Sequence, residues 1–348
     1  MKLLHSADWH LDAPLLGRDP ALRQALLSVP KLVAQAARNE GAQLLLLSGD
    51  LFDGPATLES ISAVRDALEE LDIPVCITPG NHDHIGPQSP WEQTIWPKNV
   101  HIFTRESLES LVFPELNCRV WGAAFAGPEA PGLLEGFHSQ GEETYQVGLL
   151  HGDPTQAQSP YCPITGGQIA ASGLSYLALG HIHKGGSLRV GNTLCAWPGC
   201  PMGRGFDETG IKGVLSVTLS ESGADAKFIP LDTPRFYDLE IPADALADTL
   251  PAQGSDDYYR ITLTGESEPL DLAALEAEYS RFPNLTLRDR TSPPLDLWAA
   301  AGSDTLEGLY FAMLRDMLEG ASEEEARQIL LAAKLSRQLL EGQEVRLP

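Results

Sequence analysis

The stretch Thr78-Pro79-Gly80-Asn81-His82-Asp83 follows directly on a short apolar run at 73–77. The apolar run predicts a buried strand. Proline followed by glycine predicts a sharp turn out of that strand, because proline fixes φ and glycine accepts positive φ. The turn presents an amide, an imidazole and a carboxylate in succession. These groups suit a binding site at the strand end, and an ordinary polar turn is the alternative that this stretch alone leaves open.

The chain before this stretch has the pattern of a layered α/β domain. Apolar runs at 2–7 and 44–47 predict strands, and the run of leucines at 44–47 is typical of a strand buried on both faces. Helical patterns lie between them, from Ala21 to Asn39 with an interruption expected near Pro30, and again after the capping residue Thr57. This β-α-β-α-β order predicts a sheet with helices packed against it.

The rest of the chain divides into two parts. From about residue 100, short strand candidates separated by loops rich in glycine and proline predict mixed sheets. A boundary near 231–237 separates a catalytic domain, 1–235, from a small α+β capping domain, 236–348. Two helices are predicted to close the chain, with capping-box spacing at their starts: Asp304 with Glu307, and Ser322 with Glu325.

The composition limits the classes of protein to consider. With 348 residues, 43% of them apolar and 21% charged, the chain resembles a soluble globular protein. It contains no uninterrupted apolar run of about 18 residues and no signal-peptide core at its start, so a cytoplasmic protein without a membrane span is expected. The five cysteines form no C-x-x-C pair, which argues for buried free thiols rather than a disulfide framework or a thiolate zinc site.

The charge restricts how the chain can meet nucleic acid. A net charge of −24, from 24 basic and 48 acidic side chains, argues against a broad surface that coats DNA. DNA contact is then confined to a local patch or to a metal site, because bound cations supply positive charge themselves. Arg18, Lys184 and Arg204 are candidate phosphate contacts, and ion pairs with the many carboxylates are the alternative.

Five predicted strand ends carry side chains that can bind metal. Strand ends of an open α/β sheet meet at one crevice, so these side chains are expected to converge there. A pair of divalent ions can stabilise both the attacking and the leaving oxygen of a phosphoryl transfer. Oxygen and nitrogen ligands without a thiolate favour Mn, Fe or Zn over Ca, and Mn is the ion expected here. The motifs are Asp8-x-His10, Gly49-Asp50, Asn81-His82, His151-Gly152 and Gly180-His181-x-His183.

These motifs, in this order, resemble those of the calcineurin-like metallophosphoesterases. Within that family, Leu4-His5-Ser6-Ala7-Asp8-Trp9-His10-Leu11 and Gly49-Asp50-Leu51-Phe52-Asp53 resemble the SbcD-type DNA-repair exonuclease branch in its short bacterial, YhaO-like form. The segment 198–210 resembles the same branch, and the likeness covers about residues 1–220. It implies a layered sandwich of mixed sheets flanked by helices, two divalent metal ions and hydrolysis of phosphate esters.

Carried over residue by residue, the resemblance implies two metal shells that share Asp50 as a bridging ligand. His82 would bind no metal and would face the phosphate as a general acid or transition-state donor. Asp53 and Asp83 would orient His82 and the ligands from behind. Archaeal and eukaryotic relatives place a histidine at the position of Asp53, so their end specificity is not transferred. One shell is Asp8, His10, Asp50 and His183, and the other is Asp50, Asn81, His151 and His181.

Three functions are consistent with these observations. The first is a DNA-repair nuclease, a 3′–5′ exonuclease with single-strand endonuclease activity that acts on DNA ends or single-stranded DNA; the resemblance implies a coiled-coil SbcC-type ATPase as its partner. The second, favoured by the acidic charge, is a small-molecule phosphodiesterase or phosphatase. The third is mainly a scaffolding subunit whose last helix docks the ATPase, unless that helix only closes the capping domain. A homodimer is also left open.

Overall fold

The computed structural model describes residues 1–14 and 19–342. Arg18, one of the candidate phosphate contacts, lies outside the described residues. The chain forms two compact units, Met1–Asp238 with Asp256–Arg260 and Leu239–Ser255 with Ile261–Pro348. The predicted division into domains 1–235 and 236–348 stays a prediction.

The described residues of the first unit form two six-stranded sheets and four α-helices. The strands are β1 (Lys2–Ser6), β2 (Leu44–Leu47), β3 (Val75–Ile77), β4 (Val100–Ile102), β5 (Glu109–Phe113), β6 (Cys118–Gly122), β7 (Tyr145–His151), β8 (Tyr176–Gly180), β9 (Lys184–Val190), β10 (Thr193–Gly199), β11 (Gly213–Ser220) and β12 (Gly223–Pro230), and the helices are α1 (Pro20–Glu40), α2 (Leu58–Glu69), α3 (Pro90–Gln93) and α4 (Gly166–Ala171). The first sheet has the order β12-β11-β1-β2-β3-β4 and the second β5-β6-β7-β8-β10-β9.

Both sheets are mixed. In the first sheet, β1 to β4 pair in parallel, whereas β11 pairs antiparallel with both β1 and β12. In the second sheet, β6, β7, β8 and β10 pair in parallel, whereas β5 pairs antiparallel with β6, and β9 with β10. The predicted layered α/β sandwich of mixed sheets flanked by helices is therefore confirmed. The sequence pattern did not indicate β5 and β12, because these edge strands are only partly buried and lack the long unbroken apolar run that marks a central strand.

The four leucines of β2 show how the layers are held together. Alternate side chains of a strand point to opposite faces. Leu44 and Leu46 pack in the cluster that fills the space between the two sheets, whereas Leu45 and Leu47 pack in the cluster that includes residues of α1 and α2. All four are fully buried, which is what an unbroken leucine run predicts for a strand covered on both sides.

Helix α1 differs from its prediction at one point. It begins after Asp19, whose side chain accepts hydrogen bonds from the N–H groups of Ala21 and Leu22, and it ends at Gly41 in the left-handed conformation. The interruption predicted near Pro30 is wrong, because the helix continues through that residue. Pro30 is buried on the core-facing side of the helix, where tertiary packing offsets the hydrogen bond that proline cannot donate.

The remaining elements form a third, smaller sheet and a group of helices. The sheet has the order β13-β14-β15, with β13 (Phe236–Pro242), β14 (Tyr258–Thr264) and β15 (Leu285–Asp289), and the helices are α5 (Leu246–Thr249), α6 (Leu272–Glu278), α7 (Leu306–Met317) and α8 (Glu323–Leu340). The capping box of Ser322 and Glu325 is present. The one predicted for Asp304 is wrong, because Thr305 caps α7 by accepting from the Gly308 N–H. None of the described helices is both long and apolar enough to cross a bilayer.

Between the two sheets of the first unit lies a buried polar link. One ring nitrogen of His5, on β1, is 2.8 Å from the Tyr176 hydroxyl on β8, and the other is 2.7 Å from the Ser48 hydroxyl. His5 is fully buried. Burial lowers its pKa from 6.5 to about 3, because the imidazolium would lose its hydration. The folded protein therefore keeps His5 neutral while the unfolded chain takes up a proton below its ordinary pKa.

We expect this link to cause part of the acid sensitivity of the fold. The stability that it supports is complete above pH 6.5 and is lost as the pH falls from 6.5 toward about 3. His5→Gln should reduce the loss of unfolding free energy between pH 7 and pH 5.5 by about 1 kcal/mol. Urea unfolding of the metal-free protein at both pH values measures this, with exposed His138→Gln as control. An equal loss in wild type and His5→Gln would contradict it.

Candidate metal centre

The five motifs stand where strands of both sheets end. Asp8 and His10 follow β1, Asp50 follows β2, Asn81 and His82 follow β3, His151 is the last residue of β7, and His181 and His183 follow β8. The sequence pattern predicts that these side chains meet in one crevice at the edge of a single sheet. The single sheet is wrong. The first three strands belong to one sheet and the last two to the other, so the side chains meet where the two packed sheets share an edge.

Direct hydrogen bonds join the strand ends across this edge. The His181 N–H donates to Asp8 Oδ1 over 2.8 Å, and His151 Nδ1 lies 2.9 Å from the Ser48 carbonyl oxygen. On the first sheet, the Asp8 N–H donates to the Gly49 carbonyl over 3.0 Å. Each of these bonds has at least one backbone group, and together they hold the segments after β1, β2 and β8 in place.

Asp8, His10 and His183 form the first ligand group. Their ligand atoms lie within 4.8 Å of one another. His10 Nε2 and His183 Nε2 face each other at 3.0 Å, and Asp8 Oδ2 is buried without a hydrogen-bond partner in the described part of the chain. Unpaired buried polar atoms are costly, and a cation between these donors would satisfy them. The group therefore fits a divalent metal ion with nitrogen and oxygen ligands.

Asp50, Asn81 and His151 form the second ligand group. His151 Nε2 lies 2.9 Å from Asn81 Oδ1 and 3.3 Å from Asp50 Oδ2. His181 stands beside this group, its ring centroid 5.3 Å from that of His151. Burial, reinforced by the neighbouring His151, lowers the pKa of His181 to about 4, so its imidazole is neutral and its lone pair is free to bind a metal. The predicted ligands of the second shell are thus brought together.

Asp50 lies between the two groups. Its Oδ2 atom is 3.7 Å from His10 Nε2 and 3.3 Å from His151 Nε2, and its Oδ1 atom accepts from the His82 N–H over 2.9 Å. This is the position that a bridging carboxylate requires, and the bridging role itself stays a prediction.

Without a cation, protons balance the buried charges of the centre. Burial disfavours the charge of Asp50, but His151 outweighs burial and lowers the pKa of this carboxyl. Conversely, burial disfavours the His151 imidazolium, yet Asp50 raises its pKa to about 9. Burial also raises the pKa of Asp8. A divalent cation would supply positive charge in place of these protons.

Backbone strain is concentrated at the same residues. Asp8, His10, Asp50 and His181 have φ values of 55°, 49°, 52° and 97°. Residues other than glycine rarely adopt this left-handed region, because it is energetically unfavourable. Such conformations persist where the surrounding structure enforces them, and they cluster at functional sites. These four residues lie in the segments that directly follow β1, β2 and β8, where the predicted ligands are.

Asp83 holds the loop after β2 from beneath. Its carboxylate accepts from the N–H groups of Gly80, Asp50, Leu51 and Phe52 at 2.7 to 3.3 Å. Burial, together with the neighbouring Asp50, raises the pKa of Asp83 to about 7, and the backbone donors oppose that rise. Asp83 therefore fixes the turn that carries Asp50, which is consistent with the orienting role predicted for it.

His82 is the most exposed member of the centre, with 44% of its side chain accessible. Its Nδ1 atom is 2.8 Å from Asp53 Oδ1, and this hydrogen bond raises the pKa of His82. Asp53 Oδ2 also lies 3.7 Å from His10 Nδ1. The ligand atoms of His82, His10 and Asp50 lie within 4.8 Å of one another, a spacing that suits a metal ligand as well as a proton donor. The exclusion of His82 from the metal shells stays a prediction.

Sequence reasoning missed Glu208. Its Oε1 atom is 2.7 Å from His183 Nδ1, and its Oε2 atom accepts from Arg204 Nε over 3.1 Å. Arg204, a candidate phosphate contact, instead forms ion pairs with Glu208 and, at 3.8 Å, with Asp53. Glu208 lies in the segment 198–210 singled out by resemblance, but no regular spacing links it to His183. Only the fold reveals that it contacts His183, a predicted ligand.

The matches to known proteins agree with this geometry. A family model described as calcineurin-like phosphoesterase matches residues 1–185. The chain belongs to this family. It is 30% identical over 245 residues to the uncharacterized metallophosphoesterase YhaO of Bacillus subtilis, a match that covers 66% of this chain and 60% of that protein. The chain thus spans less than two thirds of the length of this relative.

Two further relatives are named as the D subunit of the nuclease SbcCD. The protein of Bacillus subtilis is 24% identical over 270 residues, covering 65% of this chain and 68% of that protein. The protein of Staphylococcus epidermidis is 24% identical over 314 residues, covering 78% of this chain and 81% of that protein. The predicted resemblance to the SbcD-type and YhaO-like members of the family is confirmed.

Gly80→Ala should abolish metal binding. A Cβ atom at this position would overlap the Asp50 carboxylate and lie 2.8 Å from the Asp50 backbone nitrogen, so Asp50 must move. Metal content after loading with Mn²⁺ and desalting measures the effect. Gly86→Ala is the matched control, because nothing lies within 4 Å of a Cβ atom there. Full metal content in Gly80→Ala would show that Asp50 is not held in place by this close approach.

Glu208→Gln should weaken metal binding by about tenfold, because it removes the carboxylate that orients His183. Titration calorimetry with Mn²⁺ measures the affinity. Asp207→Asn, a charge change at the neighbouring exposed residue, should leave it unchanged. Equal affinities in Glu208→Gln and wild type would contradict an orienting role.

Proposed function

We propose that the chain is a two-metal-dependent phosphodiesterase that acts on DNA, a repair nuclease with 3′–5′ exonuclease and single-strand endonuclease activity. One observation carries the proposal. Donor atoms from five strand ends converge at the shared edge of two sheets, with two imidazole nitrogens 3.0 Å apart and a buried Asp8 oxygen that has no hydrogen-bond partner among the described residues. This is the donor set that a pair of ions needs for phosphoryl transfer.

The ligands of the proposed ions are those of the two shells. Asp8, His10, Asp50 and His183 would hold one ion, and Asp50, Asn81, His151 and His181 the other, with Mn proposed and Fe or Zn as alternatives. When bound, such ions polarise the phosphoryl group and neutralise the charge that develops in the transition state.

The proposed role of His82 is proton donation to a phosphate oxygen. Asp53 accepts from Nδ1, which fixes the tautomer and leaves Nε2 for the substrate. The same hydrogen bond raises the pKa of His82, so the protonated form is better populated at neutral pH. Asp53 also lies near His10, so one carboxylate positions both the proposed donor and a proposed ligand.

The proposed substrate and partner draw on the relatives. Two of them are named as the D subunit of the SbcCD nuclease, which supports DNA ends or single-stranded DNA as substrate and an SbcC-type coiled-coil ATPase as partner. Exposed apolar side chains on the last two helices support a docking surface for that partner. They are Leu306, Leu309, Met313 and Met317 on α7 and Leu330, Leu339 and Leu340 on α8. A cytoplasmic location and a homodimer stay predictions from the sequence.

Two other functions have an observation in their favour. The net charge of −24 favours a small-molecule phosphodiesterase or phosphatase, because an acidic protein repels a polyanion. The exposed apolar residues of α7 and α8 favour a mainly scaffolding subunit of an ATPase complex.

The deciding experiment measures hydrolysis of labelled single- and double-stranded DNA beside bis-p-nitrophenyl phosphate in the presence of Mn²⁺. We expect wild type to cleave both DNA and the small diester, and His82→Ala to lose at least about a hundredfold in kcat with either, because a positioned acid contributes that much or more. The metal content of His82→Ala should equal that of wild type.

Asp50→Ala serves as the metal-deficient control and should be inactive. Cleavage of the small diester through His82 with DNA left intact would favour the small-molecule enzyme. Absence of any hydrolysis by a fully metal-loaded protein would favour the scaffolding subunit. Loss of metal in His82→Ala would move His82 into the metal shells.

A further inference from the structure

A cavity of about 520 Å³ lies beside the metal centre, lined by residues of β9, β10, β11 and β12 and of the loop before β11. We call it the lysine cavity. Its defining residues are His183, Lys184, Trp197, Ile211, Lys212 and Phe228. His183 belongs both to this lining and to the first ligand group, so the cavity adjoins the proposed site of hydrolysis.

The charge of the lysine cavity differs from that of the chain as a whole. The chain has 48 acidic and 24 basic side chains, yet the described residues that line the cavity include Lys184 and Lys212 and no carboxylate. Among the described residues, no carboxylate forms an ion pair with either lysine. In a protein with a net charge of −24, two uncompensated lysines that face one cavity form a local site for an anion.

The walls of the lysine cavity offer apolar and aromatic surface. The Trp197 indole is fixed, because its Nε1–H donates to the Lys184 carbonyl over 3.0 Å and its ring lies over Gly186, where a Cβ atom would be 2.6 Å away. Gly186 therefore leaves room for the ring, whereas a Cβ atom at Gly185 would meet the Pro198 carbonyl oxygen at 2.7 Å. Phe228 and Ile211 remain 42% and 55% exposed at the cavity. Exposed apolar side chains next to cations suit a ligand that is both aromatic and anionic.

We propose that the lysine cavity binds the nucleotide next to the scissile phosphate of a single-stranded nucleic acid. Lys184 and Lys212 contact its phosphate, and Phe228 packs against its base. Lys184 follows His183 directly in the chain, so a nucleic-acid strand that leaves the metal centre would pass into the cavity. This inference rests on the proposed function, because it names the part of the substrate that the centre does not hydrolyse.

Direct binding tests the site without hydrolysis. The probe is fluorescein-labelled oligothymidylate, followed by anisotropy in EDTA at several salt concentrations. Lys184→Gln combined with Lys212→Gln should weaken binding by about tenfold at low salt and reduce the slope of log affinity against log salt by about 1.4, or about 0.7 for each lysine–phosphate pair removed. Phe228→Ala should weaken binding by about fivefold or more, with the salt slope unchanged.

Matched variants separate this site from general charge and from misfolding. Lys227→Gln removes an exposed lysine of the edge strand β12. Lys227 is next to Phe228 in the chain but lies on the opposite face of β12, so this variant should bind as wild type does. Lys184→Arg combined with Lys212→Arg keeps both charges and should restore most of the affinity. Thermal unfolding and metal content of every variant should match wild type, because the substituted side chains are at least partly exposed and none is a predicted ligand.

The outcomes distinguish this inference from the proposed function. Equal binding by wild type and the double glutamine variant, with DNA still cleaved, would overturn the inference and leave the nuclease standing. Lysine-dependent binding by a protein that cleaves no DNA would refute the proposed function and keep the cavity as a nucleotide site. Equal losses in Lys227→Gln and the double variant would show nonspecific charge attraction and overturn the inference.

Discussion

The structure of the first unit depends on one buried carboxylate, Asp50, and on the positive charge that it demands. Asp50 is almost fully buried, lies within 4 Å of two imidazoles and has its backbone in the left-handed region. A carboxylate in this environment is stable only with a cation or a protonated base beside it. The loops after β1 and β3 and the end of β7 therefore have to bring their histidines and Asn81 to the same point.

The strand ends and their metal-capable side chains were predictable from the sequence because they are local patterns. An apolar run that ends at Gly49-Asp50 or at His151-Gly152 can be recognised without any knowledge of the fold. Which sheet each strand joins was not predictable, because the pairing of β7 and β8 in a separate sheet depends on contacts distant in sequence. The interruption predicted at Pro30 was wrong for the same reason, since the packing of α1 outweighs a local helix-breaking signal.

The orienting residues show a second limit of sequence reasoning. Asp53 follows Asp50 by three positions and could be assigned by its motif, whereas Glu208 lies 25 positions from His183 and joins it only through the fold. The same holds for Lys212, whose pairing with the candidate phosphate contact Lys184 becomes apparent only where four strands line one cavity. Positive charge in this acidic chain is thus scarce, and two of its lysines lie at one cavity beside the metal centre.

The origin of the ligands in two sheets links metal supply to the lifetime of the protein. Asp8, His10, Asp50 and Asn81 come from the first sheet and His151, His181 and His183 from the second, so each proposed ion would cross-link the two halves of the sandwich. A ligand that binds only the folded state stabilises it by about 2.7 kcal/mol at a hundred times its Kd. In a metal-poor cell the two sheets would separate more often, and proteases would remove the apo form first.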